Sequence, residues 1–227
     1  MNIYCKNEVV SFLKTSEPFG GLSNMAGGCP IALYGVRCRT SEHLYQALKF
    51  PEHPENQSEI LAVPSPMGAK MVAKRNSQLI RPDWEEIKLA VMAYCVRAKL
   101  KSNFKRFGDL LLSTGSADIV EISSKHDTYW GCVPDGEFLV GHNHLGVLLT
   151  ELRDELIREG PGAGHRMKLT PPTGVELRFR GRKVGEFSFG YWDDDADFEE
   201  IFAAMRARRD SLANQTNQLP NSTNGGI

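Results

Sequence analysis

Residues 39–51 constrain the fold more than any other part of the sequence, because both ends of one helix are marked there. The segment begins with hydroxyl side chains suited to N-capping and stops at a proline. Within it Glu42, Gln46 and Lys49 are spaced i, i+4 and i+7, which places a carboxylate, an amide and an amine on one stripe. Such a stripe either faces solvent, where Glu42 suits the helix dipole, or points into a pocket. Both alternatives stay open on the local pattern alone.

Apolar periodicity and capping residues predict the other regular elements. Four prolines in residues 51–66 predict a loop between two of these elements. The apolar positions of the longest helix, which begins at Trp84, are typical of a core-facing stripe. Strands are expected at residues 9–13, 30–34 and 119–122, and helices at residues 66–76, 84–100, 104–112 and 145–159.

Composition places the chain among soluble globular proteins. Its 227 residues are 41% hydrophobic and 24% charged, enough for one large domain or two small ones. The formal net charge of −1 provides no global basic field, so any contact with nucleic acid would need a local basic patch. No apolar run is long enough to span a bilayer, and residues 1–6 are too polar for a signal peptide. We therefore expect a cytoplasmic protein with no membrane partner.

The cysteines and a histidine pair give no sign of a disulfide or metal framework. The five cysteines are odd in number and contain no CxxC pair, a pattern typical of reduced, buried thiols. His142 and His144 would share one face of a strand, yet no third ligand has matching spacing. We expect no metal and no cofactor.

Two loops carry further polar residues that could serve a site. In the first, two glycines precede Ser23 and Asn24, so the backbone could approach a ligand closely; the alternative is a plain connecting turn. In the second, Asp127 precedes Trp130 and Gly131, which suits a loop that a ligand approaches. The alternative is that Asp127 forms an Asx turn and Trp130 fills the core.

A series of motifs occurs in a fixed order along residues 10–159. They are Gly21-Leu22-Ser23-Asn24, Ser41-Glu42-His43-x-x-Gln46-x-x-Lys49-Phe50, Trp84 at a helix start, Thr114-Gly115, Glu121, Asp127-x-x-Trp130-Gly131 and Gly141-x-Asn143-x-Leu145-Gly146. Together they resemble the NADAR (YbiA-like) family. The order of several motifs makes this resemblance more specific than any one of them.

The resemblance implies a helix-rich α+β fold with a single catalytic domain that handles ADP-ribose or other ribosyl N-glycosides. Members of the family cleave N-glycosidic bonds. Some act on phosphorylated riboflavin-pathway intermediates, and others remove ADP-ribose from guanine in nucleic acid, including antitoxins to DNA-modifying ADP-ribosyltransferases. We therefore expect a hydrolase that removes ADP-ribose from guanine in DNA or a nucleoside, paired in function with an ADP-ribosyltransferase toxin. The alternatives are an N-glycosidase of riboflavin-pathway ribosyl-phosphate metabolites and a non-catalytic ADP-ribose or NAD sensor.

The resemblance also makes Glu42, Lys49 and Asp127 the catalytic candidates. Breaking a ribosyl C–N bond builds positive charge on the sugar carbon and negative charge on the departing base. A carboxylate near the sugar and an acid near the leaving group would both help. Lys49 admits a second route, attack on the anomeric carbon to give a Schiff base, and the direct and covalent routes both stay open. The substrate-binding candidates are Gly21, Ser23, Asn24, His43, Gln46, Trp84, Glu121, Trp130 and Asn143.

The C-terminal part of the chain is predicted to be a smaller unit. Residues 1–160 form the expected catalytic domain and the glycine-rich residues 160–167 a linker. Alternating apolar and polar residues predict a β-hairpin at residues 175–189, followed by a helix. Residues 168–210 thus form a small ββα unit that docks on the first domain. The polar residues 211–227 are expected to be disordered.

Overall fold

Short strands and longer helices make up the described chain, which covers residues 1–123, 127–160 and 162–185 in the computed structural model. The strands are β1 (Asn2–Cys5), β2 (Val10–Phe12), β3 (Ile31–Leu33), β4 (Val36–Cys38), β5 (Ile119–Glu121), β6 (Cys132–Asp135), β7 (Phe138–Gly141), β8 (Arg178–Phe179) and β9 (Arg182–Lys183). The helices are α1 (Ser41–Ala47), α2 (Pro54–Ala62), α3 (Pro66–Arg75), α4 (Trp84–Ser102), α5 (Phe104–Leu112), α6 (His144–Glu159) and α7 (Ala163–Arg166). This mixture confirms the helix-rich α+β fold.

Helix α1 is the central element, since every one of its residues is buried and it contacts α2, α3 and α4. Its N-terminus is capped as predicted, because the Thr40 hydroxyl accepts a hydrogen bond from the backbone N–H of His43 at 3.3 Å. The Asn24 carbonyl ties a loop to the same turn. It accepts from the N–H of Glu42 at 3.0 Å and from the hydroxyl of Ser41 at 3.1 Å. A helix buried on all sides must find a partner for each polar side chain it carries.

The proline-rich residues 51–66, predicted to be a loop, contain helix α2. Pro54 occupies the first turn, where its missing N–H costs nothing and its fixed φ suits helical backbone. Ile60 of this helix is fully buried in the core. The loop prediction was wrong because proline begins helices as well as ending them. Helix α3 starts at its predicted cap, where the Ser65 hydroxyl accepts from the N–H of Gly68 at 3.0 Å.

Small sheets flank the helices and fix the edge at which several loops meet. Strands β1, β7 and β6 form an antiparallel sheet in that order, while β2 pairs with β5 in parallel. This parallel register sets Phe12 beside Glu121, so the chain leaves both strands at the same edge. Strands β3 and β4 form a hairpin closed by Tyr34 and Gly35 at φ of +50° and +77°. The predicted strands correspond to β2, β3 and β5.

Residues 160–167, predicted to be a linker, contain helix α7. The glycines that suggested a flexible segment instead form the turn into this helix, with Gly160 and Gly162 at φ of +68° and +77°. The Lys101 ammonium donates to the carbonyl of Gly164 at 2.6 Å and so joins α7 to α4. The segment is therefore packed against the helices.

The hairpin of β8 and β9 packs on the rest of the chain. Arg180 and Gly181 form its two-residue turn at φ of +50° and +74°. The buried side chain of Gln57, on α2, donates to the carbonyl of Arg178 at 2.9 Å and accepts from the N–H of Arg180 at 2.6 Å. Buried apolar side chains of this region belong to the main core, namely Met167, Leu169, Leu177, Phe179 and Val184.

The rest of the predicted C-terminal unit lies outside the residues that the structure describes. It comprises the hairpin beyond residue 185, the helix that follows it and the tail of residues 211–227. Within the described ranges, no helix is both long and apolar enough to cross a membrane.

Candidate functional site

A cleft of about 400 Å³ opens along the face of α1 that carries Glu42, Gln46 and Lys49. The rest of its lining comes from α3, the first half of α4, the end of β5, the segment after β2, the loops of residues 23–25 and 127–131, and the start of α6. The polar stripe of α1 therefore points into a pocket. Nine of the twelve predicted site residues line this cleft: Ser23, Asn24, Glu42, Gln46, Lys49, Trp84, Glu121, Asp127 and Trp130.

Two amide groups hold Glu42 in the wall of the cleft. The residue is 3% exposed. Its Oε1 accepts from Nε2 of Gln46 at 2.7 Å, and its Oε2 accepts from Nδ2 of Asn24. Burial raises the pKa of Glu42, while the hydrogen bond from Gln46 and the ammonium groups of Lys70 and Lys49 act in the opposite direction. Because both oxygens accept from amide donors, this wall is suited to hold the ionised form.

Gln46 has an unused hydrogen-bond acceptor. Its Nε2 is occupied by Glu42, but its Oε1 is buried and accepts no hydrogen bond from any described residue. An unpaired buried acceptor costs about 1–3 kcal/mol. Gln46 lines the cleft, so a small shift of its side chain would let a bound molecule supply the missing donor, such as a sugar hydroxyl.

Lys49 lies at the far end of the same stripe, against two aromatic rings. Its Nζ is 5.2 Å from the ring centroid of Trp84 and 5.6 Å from that of Tyr45. Burial lowers the pKa of Lys49, the charge of Glu42 raises it, and the charge of Lys70 lowers it again. A half-buried amine whose pKa is lowered is a stronger nucleophile at neutral pH than an ordinary surface lysine.

Asp127 both forms an Asx turn and lies in the cleft, the two roles that the sequence left open. Its Oδ1 accepts from the N–H groups of Tyr129 at 3.0 Å and Trp130 at 3.2 Å, which is an Asx turn. Asp127 also lines the cleft and is exposed to solvent. The turn places Trp130 in the lining, where its ring meets Tyr45 edge-on with centroids 5.8 Å apart.

Glu121 ends strand β5 and lines the cleft. Burial raises its pKa to about 7; the negative charges of Glu42 and Asp127 add to this effect, and the charge of Lys70 opposes it. At neutral pH a carboxyl group with that pKa is protonated in a large fraction of molecules. The cleft therefore contains carboxyl groups in different environments.

His43 and Gly21, both predicted to bind substrate, lie outside the cleft lining. The ring of His43 is buried on a different face of α1, with Nδ1 at 2.9 Å from the Thr40 hydroxyl and Nε2 at 3.1 Å from the Val63 carbonyl. It joins α1 to the segment before α3. The carbonyl of Gly21 accepts from the Lys99 ammonium at 2.7 Å, so this glycine supports its own loop.

Asn143 is the third predicted binding residue that the structure places elsewhere. Its Nδ2 donates to the carbonyl of Ile119 at 2.8 Å, and its Oδ1 accepts from the N–H of Glu121 at 3.1 Å. Its backbone is left-handed, with φ of +54°, a conformation that asparagine tolerates better than most residues. Both ends of its amide therefore bond to strand β5, and it meets the cleft through the backbone of Glu121.

Lys70, Lys88 and Glu85 line the cleft although the sequence did not single them out. Lys88 donates to Glu85 at 2.6 Å, and its Nζ lies 4.1 Å from the ring centroid of Tyr129. A signal existed for Lys88, which lies one helical turn beyond Trp84 and so shares its face of α4. Nothing in the sequence relates Lys70 to the cleft, because the packing of α3 on α1 is tertiary.

Similarity to known proteins identifies the family of this chain. A family model of the NADAR domain matches residues 11–157. The chain belongs to the NADAR family. It is 38% identical over 154 residues to the N-glycosidase YbiA of Escherichia coli K12, which covers 68% of this chain and 92% of that protein. The NMR structure of the E. coli protein YbiA matches with a TM-score of 0.58 at 38% identity, covering 68% of this chain and 88% of that one.

A further relative of this NADAR chain is a riboflavin biosynthesis protein of Vibrio vulnificus. The two are 34% identical over 152 residues, which covers 67% of this chain and 40% of the Vibrio protein. Membership of the family and these relatives support an N-glycosidase function for the chain.

The histidine pair of this NADAR domain does not share a strand. His142 follows β7 and His144 begins α6, with the left-handed Asn143 between them. Their rings stack with centroids 5.5 Å apart and planes at 8°. Within the described residues, no group of three or more His, Cys, Asp or Glu side chains could hold a metal ion. The five cysteines are free thiols, and four of them are buried.

Lys99 supports the loop that supplies Ser23 and Asn24 to the cleft. It is 1% exposed, and its ammonium donates to the carbonyls of Gly21 at 2.7 Å and Ser23 at 2.9 Å. The ring centroid of Phe107 lies 4.2 Å from the same nitrogen. Burial lowers the pKa of Lys99 to about 7.

We predict that Lys99→Met weakens the pH dependence of stability. The pKa of Lys99 is about 7 in the folded protein, whereas in the unfolded chain it is about 10.4. Between these values the unfolded chain binds more protons, so the free energy of unfolding rises with pH. This residue should contribute up to about 1.4 kcal/mol per pH unit. Urea unfolding of both proteins at pH 7 and at pH 8.5 should show a smaller rise in the variant.

Lys74→Met is the matched control for this prediction, because Lys74 is an exposed lysine of α3. Its pH dependence should equal that of the wild type. The comparison uses differences between two pH values, so any change of absolute stability cancels. An equal rise in wild type and Lys99→Met would contradict the prediction.

Proposed function

We propose that this NADAR protein is a hydrolase that cleaves the N-glycosidic bond of a phosphorylated riboside, and that ADP-ribose on guanine is its substrate. The observation that carries the proposal is the wall formed by α1. There the buried carboxylate of Glu42 stands beside the unused acceptor of Gln46. The N-glycosidase relative supports this type of reaction.

The reaction needs negative charge near the sugar. Breaking a ribosyl C–N bond leaves positive charge on the anomeric carbon, and a fixed carboxylate stabilises it most strongly where water is excluded. Glu42 is buried and is oriented by two amides, so it meets both conditions. After a small shift of the Gln46 side chain, a ribose hydroxyl could donate to its unpaired Oε1 and hold the sugar against the same wall.

Other cleft residues suit the remainder of an ADP-ribose ligand. Lys70 is exposed in the lining and offers an ammonium group to a phosphate. The rings of Trp84 and Trp130 also line the cleft and can pack against a base. A phosphorylated nucleoside would thus find partners for its phosphates, its sugar and its base.

Guanine in DNA or in a nucleoside is the proposed base that carries the ADP-ribose. The cleft suits it because side chains of the lining are exposed at the protein surface. Leu13 is 40% exposed and Met67 is 46% exposed, and both line the cleft. A base that belongs to a polymer needs such access. An ADP-ribosyltransferase toxin that modifies guanine would then be the functional counterpart of this enzyme.

A second candidate substrate is a ribosyl-phosphate metabolite of the riboflavin pathway. It is favoured by the name of the Vibrio relative, a riboflavin biosynthesis protein. The same carboxylate, acceptor and ammonium groups would bind its sugar and its phosphate.

Incubation of the protein with DNA that contains ADP-ribosylated guanosine, and separately with riboflavin-pathway phosphates, tests the proposal. We expect release of ADP-ribose from the first substrate, measured by mass spectrometry. Release from the second substrate alone would replace the preferred substrate with the metabolite. Binding without release in either case would indicate a non-catalytic ADP-ribose or NAD sensor and overturn the proposed reaction.

A further inference from the structure

Glu42 and Glu121 line the same cleft in opposite hydrogen-bonding environments. Both oxygens of Glu42 accept from amide groups. No donor among the described residues reaches the carboxyl group of Glu121, and the bond of this residue to the Asn143 side chain is made by its backbone N–H. An ionised carboxylate that is partly shielded from water, as that of Glu121 is, is stabilised by donors, whereas a protonated one needs fewer. The geometry therefore favours an ionised Glu42 and a protonated Glu121.

The charges that face Glu121 act in the same direction. The carboxylates of Glu42 and Asp127 and the burial of Glu121 raise its pKa to about 7, against the charge of Lys70. The other charged groups in the cleft lining are Lys49, Lys88 and Glu85, and the last two are paired. Two carboxyl groups whose surroundings separate their protonation states are the usual arrangement for acid and base roles.

The backbone of Glu121 is fixed from two sides. A Cβ at Gly131 would lie 2.5 Å from the carbonyl oxygen of Glu121, so only glycine permits this approach. On the other side the Asn143 amide bridges the carbonyl of Ile119 and the N–H of Glu121. These contacts hold the end of β5 in one place and, with it, the start of the Glu121 side chain.

We infer that Glu121 is the proton donor to the leaving nitrogen and that Asn143 is its positioning residue. The inference rests on the proposed function. As the C–N bond breaks, its electron pair stays on nitrogen, which takes the proton of the Glu121 carboxyl group. A water or amine nucleophile bonds to the anomeric carbon and loses its own proton to the Glu42 carboxylate. Proton exchange with solvent then restores both groups.

Asp127 is less suited to this role than Glu121. Its Oδ1 accepts from two backbone N–H groups, so the carboxylate is already engaged in the turn, and the residue is exposed. Its part is to set the turn that places Trp130 and to add negative charge near Glu121. The proton donor to the leaving nitrogen is therefore assigned to Glu121 at the end of β5.

The pH–rate profile of Glu121→Gln tests the assignment with ADP-ribosylated guanosine as the substrate. A required acid gives a rate that falls as pH rises through its pKa, so the wild type should lose turnover above about pH 7. Glu121→Gln keeps size but has no proton to give. It should lower kcat by about a hundredfold and lose this alkaline fall, with an unchanged melting temperature. Glu121→Asp, which keeps an acid, should retain the alkaline fall.

Asn143→Gly separates positioning from folding, because glycine keeps the left-handed backbone but removes the amide. It should lower kcat and move the alkaline fall while KM stays the same; a purely structural role would lower only the melting temperature. No turnover by the wild type on any substrate would overturn the proposed function and this inference together. Turnover by Glu121→Gln within about threefold of the wild type, with the alkaline fall intact, would overturn this inference alone.

Discussion

Replacement of Glu42 by Gln should lower kcat by about a hundredfold to a thousandfold while the protein stays folded. The substitution keeps the size of the side chain and removes the negative charge that would stabilise the oxocarbenium ion. Glu42 is the buried carboxylate nearest to the proposed sugar site, and no other carboxyl group in the cleft has both oxygens bound by amides within the described residues. Steady-state kinetics with ADP-ribosylated guanosine measure the loss.

The fold can absorb this substitution because Gln46 has an acceptor to spare. A glutamine at position 42 would place an amide N–H₂ opposite one of the amide donors that Glu42 now accepts from. If the Gln46 side-chain amide turns over, its unused Oε1 accepts from the new donor. We therefore expect a melting temperature close to that of the wild type.

Glu86→Gln is a matched control for this prediction, because Glu86 is an exposed carboxylate on α4 outside the cleft lining. It removes the same charge from the protein without touching the site, and kcat should stay within about twofold. Near-normal turnover in a well-folded Glu42→Gln protein would show that Glu42 merely suits the N-terminal end of a helix dipole.

Lys49→Met should lower kcat by on the order of a thousandfold if Lys49 attacks the anomeric carbon, the covalent route that stays open beside the direct one. The attack needs a neutral amine. The surroundings of Lys49 act in this direction, since burial of the amine beside two aromatic rings lowers its pKa. Borohydride added during turnover should reduce the Schiff base to a stable adduct, detected as added mass on the peptide that contains Lys49.

Lys70→Met distinguishes a nucleophile from a phosphate ligand. Lys70 lines the same cleft but is exposed, so its loss should raise KM about tenfold and leave kcat and the borohydride adduct unchanged. If Lys49→Met behaved in the same way and no adduct formed in the wild type, Lys49 would be a charged binding residue and the direct route would hold.

Elements with strong local signals were predicted from the sequence. Helix α1 begins at the predicted hydroxyl cap, and its stripe of Glu42, Gln46 and Lys49 faces the cleft. Helix α3 begins at the Ser65 cap, since a cap and a first-turn proline are features of adjacent residues. These signals depend on a few neighbouring positions, so they do not require knowledge of tertiary contacts.

Features that depend on distant contacts were not predicted. Pro54 was interpreted as part of a loop, although it begins α2, because only packing against α1 distinguishes the two outcomes. The motif that contains His43 gives no indication that its ring bonds the carbonyl of Val63. Asn143 likewise carries a polar side chain two positions after Gly141, yet its amide joins the start of α6 to strand β5. A side chain's direction at such positions is decided by tertiary structure.

The contacts of Gln57 with the C-terminal hairpin show that the folded unit extends beyond the region matched by the family. The family match ends at residue 157, yet both polar groups of this α2 side chain are satisfied by backbone of residues 178 and 180. Since α2 packs on α1, support for the cleft wall extends into residues beyond the matched region. The face of α1 that carries Glu42, Gln46 and Lys49 is therefore braced, through α2, by residues that follow position 157.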